Sequence, residues 1–584
     1  MEIEEIIKEK HSGDEEQINF IFSNAKRIIV TAPAGCGKTT AMVSKIAYML
    51  STEKIKSNKN ILAMTFSVNA AMCIKDSVRE ILPSLISNSQ QYLKKVDVAN
   101  YHNFAMKLLF KYGYVLNTNL SHLNDFQILD DDAVCNQGLL ISSDVSKLKK
   151  FGEVIKNVNY DDLIEKLDTY WNICEKLICQ NVITYNGILV AAIKLLENDL
   201  IASFYKKYYQ LIIIDEFQDT NLLGYLLINK LTGDNEIVFL GDDIQKIYGF
   251  LGAIDGALGI ALEQFNAVEY KFKNNYRFKN NERMKRLDLF IRNYASEYKN
   301  LDIEATVLLK CLKGEKAEIN FVTLGIEKII DRNSSVAVLV RSGWQGKSIA
   351  ESLKNKGISF FNGLYAETDK AYLNFYKIAV SEYHECVHEK AVFRDLQKCL
   401  SRIKARENEV YSDDSKKYIF DSLYKLLEKL FEVSRSWEGT AKDKYINIDY
   451  HLGTKGLKHM MEYLDERVVL TTIHSSKGLE WDYVIIPQMS AHVFPPSKHV
   501  CKICQSLEGC NQGFSYCENL FVPDMKRKFE EEISVYYVAL TRAKRDVFLT
   551  VNSGCNSYGY QNRQTCLINL PGLRKQDYSW DEVL

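Results

Sequence analysis

The sequence predicts an α/β protein: two parallel-sheet domains carrying mostly helical inserted subdomains. Three observations predict it. Short aliphatic runs alternate with longer amphipathic stretches along the chain. A glycine-bearing turn, Ala32-Pro33-Ala34-Gly35-Cys36-Gly37-Lys38-Thr39, follows Ile28-Ile29-Val30 directly. An acidic turn, Asp215-Glu216-Phe217-Gln218-Asp219-Thr220, follows the wholly apolar Leu211-Ile212-Ile213-Ile214. Runs that stay apolar without alternating are covered on both faces, as in parallel sheets flanked by helices.

Taken in order, residues 28–31, 61–65, 211–214 and 237–240 read as strands of a first sheet. Residues 336–340, 468–472, 483–486 and 547–551 read as strands of a second, with 532–543 a helix leading into the last. The stretches between His102 and Leu211 and between Leu364 and Tyr463 are helical in pattern and poor in motifs, so they read as insertions. No repeat or proline-rich linker interrupts the chain, which holds only seven prolines.

Composition bounds the partners. At 584 residues the chain is too long for one core, and 46% hydrophobic residues suffice for two to four domains. With 74 basic against 75 acidic residues the formal net charge is −1, so any nucleic-acid track is local rather than a global basic field. The segment from Met1 to Lys10 has no apolar signal core, and no run approaches a membrane span, so a cytoplasmic protein without membrane association is expected. Fourteen cysteines without a secretion signal read mainly as reduced thiols.

The glycine turn has the makings of a phosphate loop. Gly35 and Gly37 let backbone N–H groups turn inward onto phosphate oxygens, Lys38 brings a point charge to the β- and γ-phosphates, and the Thr39 hydroxyl can ligate Mg²⁺. The acids leave a buried strand at its carboxyl end, where α/β sheets bind ligands. Asp215 there can hold the metal and Glu216 can orient and deprotonate an attacking water. A solvated acidic loop is the alternative for the second turn alone; the phosphate loop upstream favours a nucleoside triphosphate site.

Asp215 to Thr220 match, letter for letter, the Walker B region of UvrD/Rep/PcrA-like superfamily 1A DNA helicases, and the other family motifs are found in order. Gln17 stands where the adenine-reading glutamine does, Thr65-Phe66-Ser67-Val68-Asn69-Ala70-Ala71 resembles motif Ia, and Tyr101-His102 motif Ib. The run from Gly241 to Ala253 resembles motif III, Asn275-Tyr276-Arg277 motif IV and Leu339-Val340-Arg341-Ser342 motif IVa. Thr472 to Glu480 is similar to motif V, and Tyr537 to Ala543 to motif VI. The resemblance implies two RecA-like domains: 1A over 1–103 and 206–275, interrupted by subdomain 1B at 104–205, and 2A over 276–363 and 464–584, interrupted by a short 2B at 364–463.

It also implies roles. ATP and Mg²⁺ would be held by Gln17, Ala34, Gly35, Cys36, Gly37, Lys38, Thr39, Thr40, Tyr276, Arg277, Gly478, Glu480 and Arg542. Tyr276 would stack on adenine, and Glu480 would accept from the ribose. Gln245 resembles the γ-phosphate sensor, and Arg277 and Arg542 would stabilise charge on the transferring phosphoryl group. Phe66, Tyr248 and Phe250 are candidate stacking platforms for single-stranded DNA, and Thr65, His102 and His474 candidate phosphate contacts. Aromatic residues filling the core are the plainer reading of the rings. Several positions depart from the family: Ala32 for glycine, Thr40 for arginine, Phe250 for tryptophan, Leu251 for the arginine that couples DNA to hydrolysis, and Ile533-Ser534 for an arginine pair.

Cys501, Cys504, Cys510 and Cys517 fall in a loop at 492–520 that is not typical family sequence. Cys501-Lys502-Ile503-Cys504 has the spacing of a metal-ligand pair, so the loop reads either as a thiolate site, with structural zinc ahead of an iron–sulfur cluster, or as free thiols. The expected function is an ATP-dependent DNA helicase or translocase in DNA repair or phage defence, acting on single-stranded or tailed DNA, with 3′→5′ polarity implied by the family. The alternative is a DNA-end-sensing regulatory ATPase that gates a nuclease subunit in trans. The short 2B segment and the Leu251 departure favour this alternative, in which the chain resembles the compact UvrD-like subunit accompanying OLD-family nucleases in defence systems such as Gabija.

Overall fold

The structure is a computed structural model that describes residues 3–66, 68–86, 89–297, 303–390, 392–437, 440–453, 455–496, 523–555, 559 and 561–584. The four cysteines of the 492–520 loop lie outside the described residues. The chain divides into two units, Met1–Tyr276 and Arg277–Leu584.

Among its described residues the first unit holds eight strands: β1 (Arg27–Thr31), β2 (Asn60–Thr65), β3 (Val96–Asn100), β4 (Gln127–Leu129), β5 (Val182–Thr184), β6 (Tyr209–Asp215), β7 (Glu236–Gly241) and β8 (Val268–Lys271). Six form one all-parallel sheet in the order β3-β2-β6-β7-β1-β8. Its central strands are buried because helices cover both faces, which is why their sequences are aliphatic throughout. The phosphate loop leaves β1, Thr65-Phe66 leaves β2, Tyr101-His102 leaves β3, the acid pair leaves β6 and the Gly241 motif leaves β7. These five motifs therefore emerge at the carboxyl edge of one sheet, and sheet order brings the loops after β1, β7 and β6 side by side. Between Tyr101 and Tyr208 the chain is mostly helical, with only the short parallel pair β4 and β5.

The second unit holds β9 (Ala305–Leu312), β10 (Val336–Val340), β11 (Phe361–Asn362), β12 (Val468–Thr472), β13 (Trp481–Ile486), β14 (Ala543–Asn552) and β15 (Leu573–Gln576), all parallel in the order β11-β12-β10-β13-β14-β9-β15. The helix Pro523–Leu540 delivers Thr541-Arg542 to the start of β14. Helices Lys370–Cys386, Val392–Ala405, Lys417–Ser434 and Ala441–Gly453 lie between β11 and β12. Arg341, just past β10, makes a two-point bond to the buried Glu532 of the Pro523–Leu540 helix, Nε to Oε2 at 2.9 Å and Nη2 to Oε1 at 2.6 Å. Among the described residues no helix is long and apolar enough to cross a membrane.

Candidate functional site

In the first unit the phosphate loop is shaped by two residues that need left-handed backbone, Gly35 at φ 78° and Gly37 at φ 71°. Gly37 caps the helix Lys38–Ser51, so the first N–H groups of that helix and its positive dipole end face the loop. Two bonds from the end of the unit and one to β7 fasten the loop. Asn275 Nδ2 donates to the Ala34 carbonyl at 3.0 Å, the Tyr276 N–H to the Gly35 carbonyl at 2.8 Å, and the Ala32 N–H to the Gly241 carbonyl at 3.0 Å.

Lys38 reaches across to the acid pair. Its Nζ lies 3.1 Å from Asp215 Oδ1 and is hydrogen-bonded to Glu216 Oε1. Burial opposes the charge on Lys38, but the two carboxylates more than offset it and hold the ammonium protonated. Burial and Glu216 push the Asp215 carboxyl up, with Lys38 opposing. Glu216 sits at φ 53°, a conformation costly for a residue with a Cβ, and this turns its carboxylate onto both Lys38 and Gln218. Gln218 Nε2 donates to Glu216 Oε2 at 2.6 Å, and Gln218 Oε1 accepts from the Asp242 N–H at 3.1 Å. Gln245 Nε2 donates to Asp242 Oδ2 at 2.7 Å. A hydrogen-bonded chain thus runs Lys38, Glu216, Gln218, Asp242, Gln245. Gly241 makes room for it: a Cβ there would lie 2.5 Å from Gln218 Oε1.

At the other end of the loop Gln17 and Tyr276 flank Gly37. A Cβ on Gly37 would lie 3.1 Å from Gln17 Nε2 and 3.7 Å from the Tyr276 ring. Asp14, N-cap of the helix Glu15–Phe22, fixes both: it accepts the Gln17 N–H at 3.2 Å and the Tyr276 hydroxyl at 2.7 Å, with Asn274 at 3.0 Å. The Tyr276 ring remains 40% exposed, available to a flat ligand.

The second unit gathers another set. Arg277 pairs with Glu480 and donates to the Thr541 carbonyl. Arg542 is 5% exposed; its Nε donates to the Val538 carbonyl at 3.1 Å and Nη1 to the Leu479 carbonyl at 3.3 Å. Gly478, at φ 86°, turns the chain so that Leu479 and Glu480 meet those two guanidiniums.

The residues expected to touch DNA fall differently. Phe66 and Tyr248 meet, ring centroids 5.2 Å apart at 31°, and both are half-buried. Phe250 lies in the turn Gly249–Leu251 and His474 in the turn His474–Ser476 of the other unit. Thr65 is fully buried, its hydroxyl enclosed without a hydrogen-bond partner, so a phosphate does not reach it in this arrangement. Burial pushes the His102 imidazole down to about 4, a bond to the Tyr185 backbone opposing, so at neutral pH it offers a hydrogen bond and no charge. Ile533 and Ser534 are buried, with no surface there for an arginine pair.

Motif reading missed His11, Asp14, Gln218 and Asp242 as site residues. The signal for Asp14 was its N-cap position before Glu15-Glu16-Gln17; Gln218 and Asp242 lay inside quoted motifs, unassigned. Among the described residues no group of three or more His, Cys, Asp or Glu is placed to hold a metal. The Thr39 hydroxyl and the Asp215 carboxylate are hard oxygen donors, the chemistry that Mg²⁺ takes alongside phosphate oxygens.

A glycine loop and an acid pair at the carboxyl edge of one parallel sheet define a P-loop nucleoside triphosphatase site. Comparison with known proteins narrows the class. The UvrD/REP helicase N-terminal domain matches residues 14–266, and the UvrD-like helicase C-terminal domain matches 365–554. The chain belongs to the UvrD/REP helicase family. It is 23% identical to DNA helicase II of Rickettsia typhi over 92% of each protein, and 24% identical to the ATP-dependent DNA helicase Rep of Buchnera aphidicola over 97% of this chain and 98% of that one. To the ATP-dependent DNA helicase PcrA of Bacillus subtilis it is 22% identical, over 90% of this chain and 80% of that one.

Proposed function

We propose that this chain is an ATP-dependent DNA helicase that moves 3′→5′ on single-stranded DNA. The observation that carries the reading is the chain Lys38, Glu216, Gln218, Asp242, Gln245, which ties the phosphate loop to the acid pair and to the residue expected to sense the γ-phosphate. Thr39 and Asp215 would hold Mg²⁺, which when bound would supply charge neutralisation on the phosphates. Triphosphate binding takes Lys38 away from Glu216. The freed carboxylate, still oriented by Gln218, accepts a proton from the attacking water. Arg277 and Arg542 stabilise the charge that develops on the phosphoryl oxygens. Phe66 and Tyr248 give bases a sequence-indifferent stacking surface, as single-strand translocation requires.

Glu216→Gln tests the assignment: hydrolysis falls by about a thousandfold or more while ATP binding persists. Normal turnover by that variant removes Glu216 as the base.

A second reading is favoured by Leu251, 45% exposed where the family has a coupling arginine. In it the chain is a DNA-end-sensing ATPase that gates an OLD-type nuclease in trans, in defence rather than repair. Strand displacement on tailed duplexes separates the two, since robust unwinding by the isolated chain excludes a pure sensor. The Cys501/Cys504 spacing supports a structural zinc in the four-cysteine loop, read out as zinc content after chelator washing.

A further inference from the structure

The base-reading end of the phosphate loop carries a second layer. His11 is 4% exposed and Gln17 is 2% exposed. Gln17 Nε2 donates to the Cys36 carbonyl at 2.9 Å. A carbonyl only accepts, so the amide nitrogen is fixed on that side and Oε1 is the atom bonded to His11 Nδ1. An amide oxygen also only accepts, so Nδ1 carries the proton. Burial lowers the His11 pKa, with the Gln17 bond opposing, and the neutral ring leaves Nε2 bare to accept from Ser44 Oγ at 2.8 Å. One backbone carbonyl thereby dictates both the amide orientation and the tautomer.

From this geometry we infer that His11 is a specificity-setting positioning residue, which engages the Gln17 oxygen and so relaxes the choice between adenine and guanine nucleotides. The inference rests on the nucleotide-site reading above. Adenine presents an amino donor and the N7 acceptor; guanine presents O6 and N7, both acceptors. An amide distinguishes them with its oxygen, which rewards the adenine amino group and repels O6. In this chain that oxygen already accepts from His11, so the amino group must share or displace an existing bond, and its reward shrinks. The remaining N–H on Nε2 serves N7 of either purine. Ser44, in the phosphate-loop helix, holds His11 in place, and Asp14 holds the Gln17 backbone.

Steady-state hydrolysis by the full chain with saturating single-stranded DNA tests this, using ATP, GTP, purine riboside triphosphate, which lacks the 6-amino group, and 7-deaza-ATP. For the wild type, kcat/KM for GTP falls within about tenfold of that for ATP. Purine riboside triphosphate matches ATP within about threefold, and 7-deaza-ATP loses about five- to tenfold, in KM. His11→Leu raises the ATP-to-GTP ratio several-fold. A wild type that rejects GTP by about a hundredfold or more overturns the inference, as does a His11→Leu protein that loses stability and turns over both nucleotides equally poorly. Should that variant not fold, the wild-type analogue series decides alone. Failure to hydrolyse any triphosphate refutes the site reading itself, whereas ATP turnover with strict adenine selectivity refutes only the role of His11.

Discussion

Gln218 has no chemistry of its own, yet it orients the carboxylate of Glu216 and reports to the Asp242 backbone through one carboxamide. Removing a hydrogen bond to a charged group costs about 1.5–3 kcal/mol. Gln218→Leu is therefore expected to lower kcat about 10- to 100-fold with KM for ATP little changed, measured by steady-state hydrolysis. His102 makes a pH-dependent contribution. Its folded pKa lies near 4, below the unfolded value of 6.5, so the stability it contributes is complete above pH 6.5 and is lost as pH falls toward 4. His102→Asn removes up to about 1.4 kcal/mol per pH unit of that slope, visible as a flatter fall of Tm between pH 6.5 and 4. The loop glycines, Lys38 and the acids were legible because their chemistry forces residue type and spacing together. His11 was not, because its role depends on meeting Gln17 and Ser44, and the contact with Ser44 spans 33 positions of sequence with no motif to mark it.

Among elements, legibility followed burial. The strands at the centres of the sheets, β1, β2, β6, β7, β10, β12 and β13, are covered on both faces and read as aliphatic runs. Edge strands did not. Val268-Glu269-Tyr270-Lys271 and Leu573-Arg574-Lys575-Gln576 each face solvent over most of their length, so nothing forces them to be apolar. β9 was missed for a different reason: Lys310 and Cys311 break an otherwise apolar strand where it nears solvent. The Arg341–Glu532 pair joins a strand end to the helix that carries Thr541 and Arg542 toward β14. Arg341→Leu leaves the buried Glu532 carboxylate unpaired, at an expected cost of about 3–5 kcal/mol. Thermal unfolding checks this, and Arg341→Leu combined with Glu532→Leu is expected to recover much of the loss.

At the scale of the whole molecule, the motif residues divide between the two units. The first has the phosphate loop, the acids and Gln245; the second has Arg277, Glu480 and Arg542. The dividing point falls between Tyr276, fastened to the phosphate loop, and Arg277, fastened to Glu480 and Thr541. That point cuts the string Asn275-Tyr276-Arg277, and the other quoted motifs fall to one side of it or the other. Sequence left undecided how hydrolysis is coupled to DNA where Leu251 replaces arginine. Directional movement tests the central claim most directly. On single-stranded oligonucleotides blocked at one end by biotin-bound streptavidin, the wild-type chain is expected to displace streptavidin from the 5′ end, only with ATP, with Glu216→Gln inactive. ATP hydrolysis with displacement from neither end, or displacement unaffected by Glu216→Gln, contradicts the account.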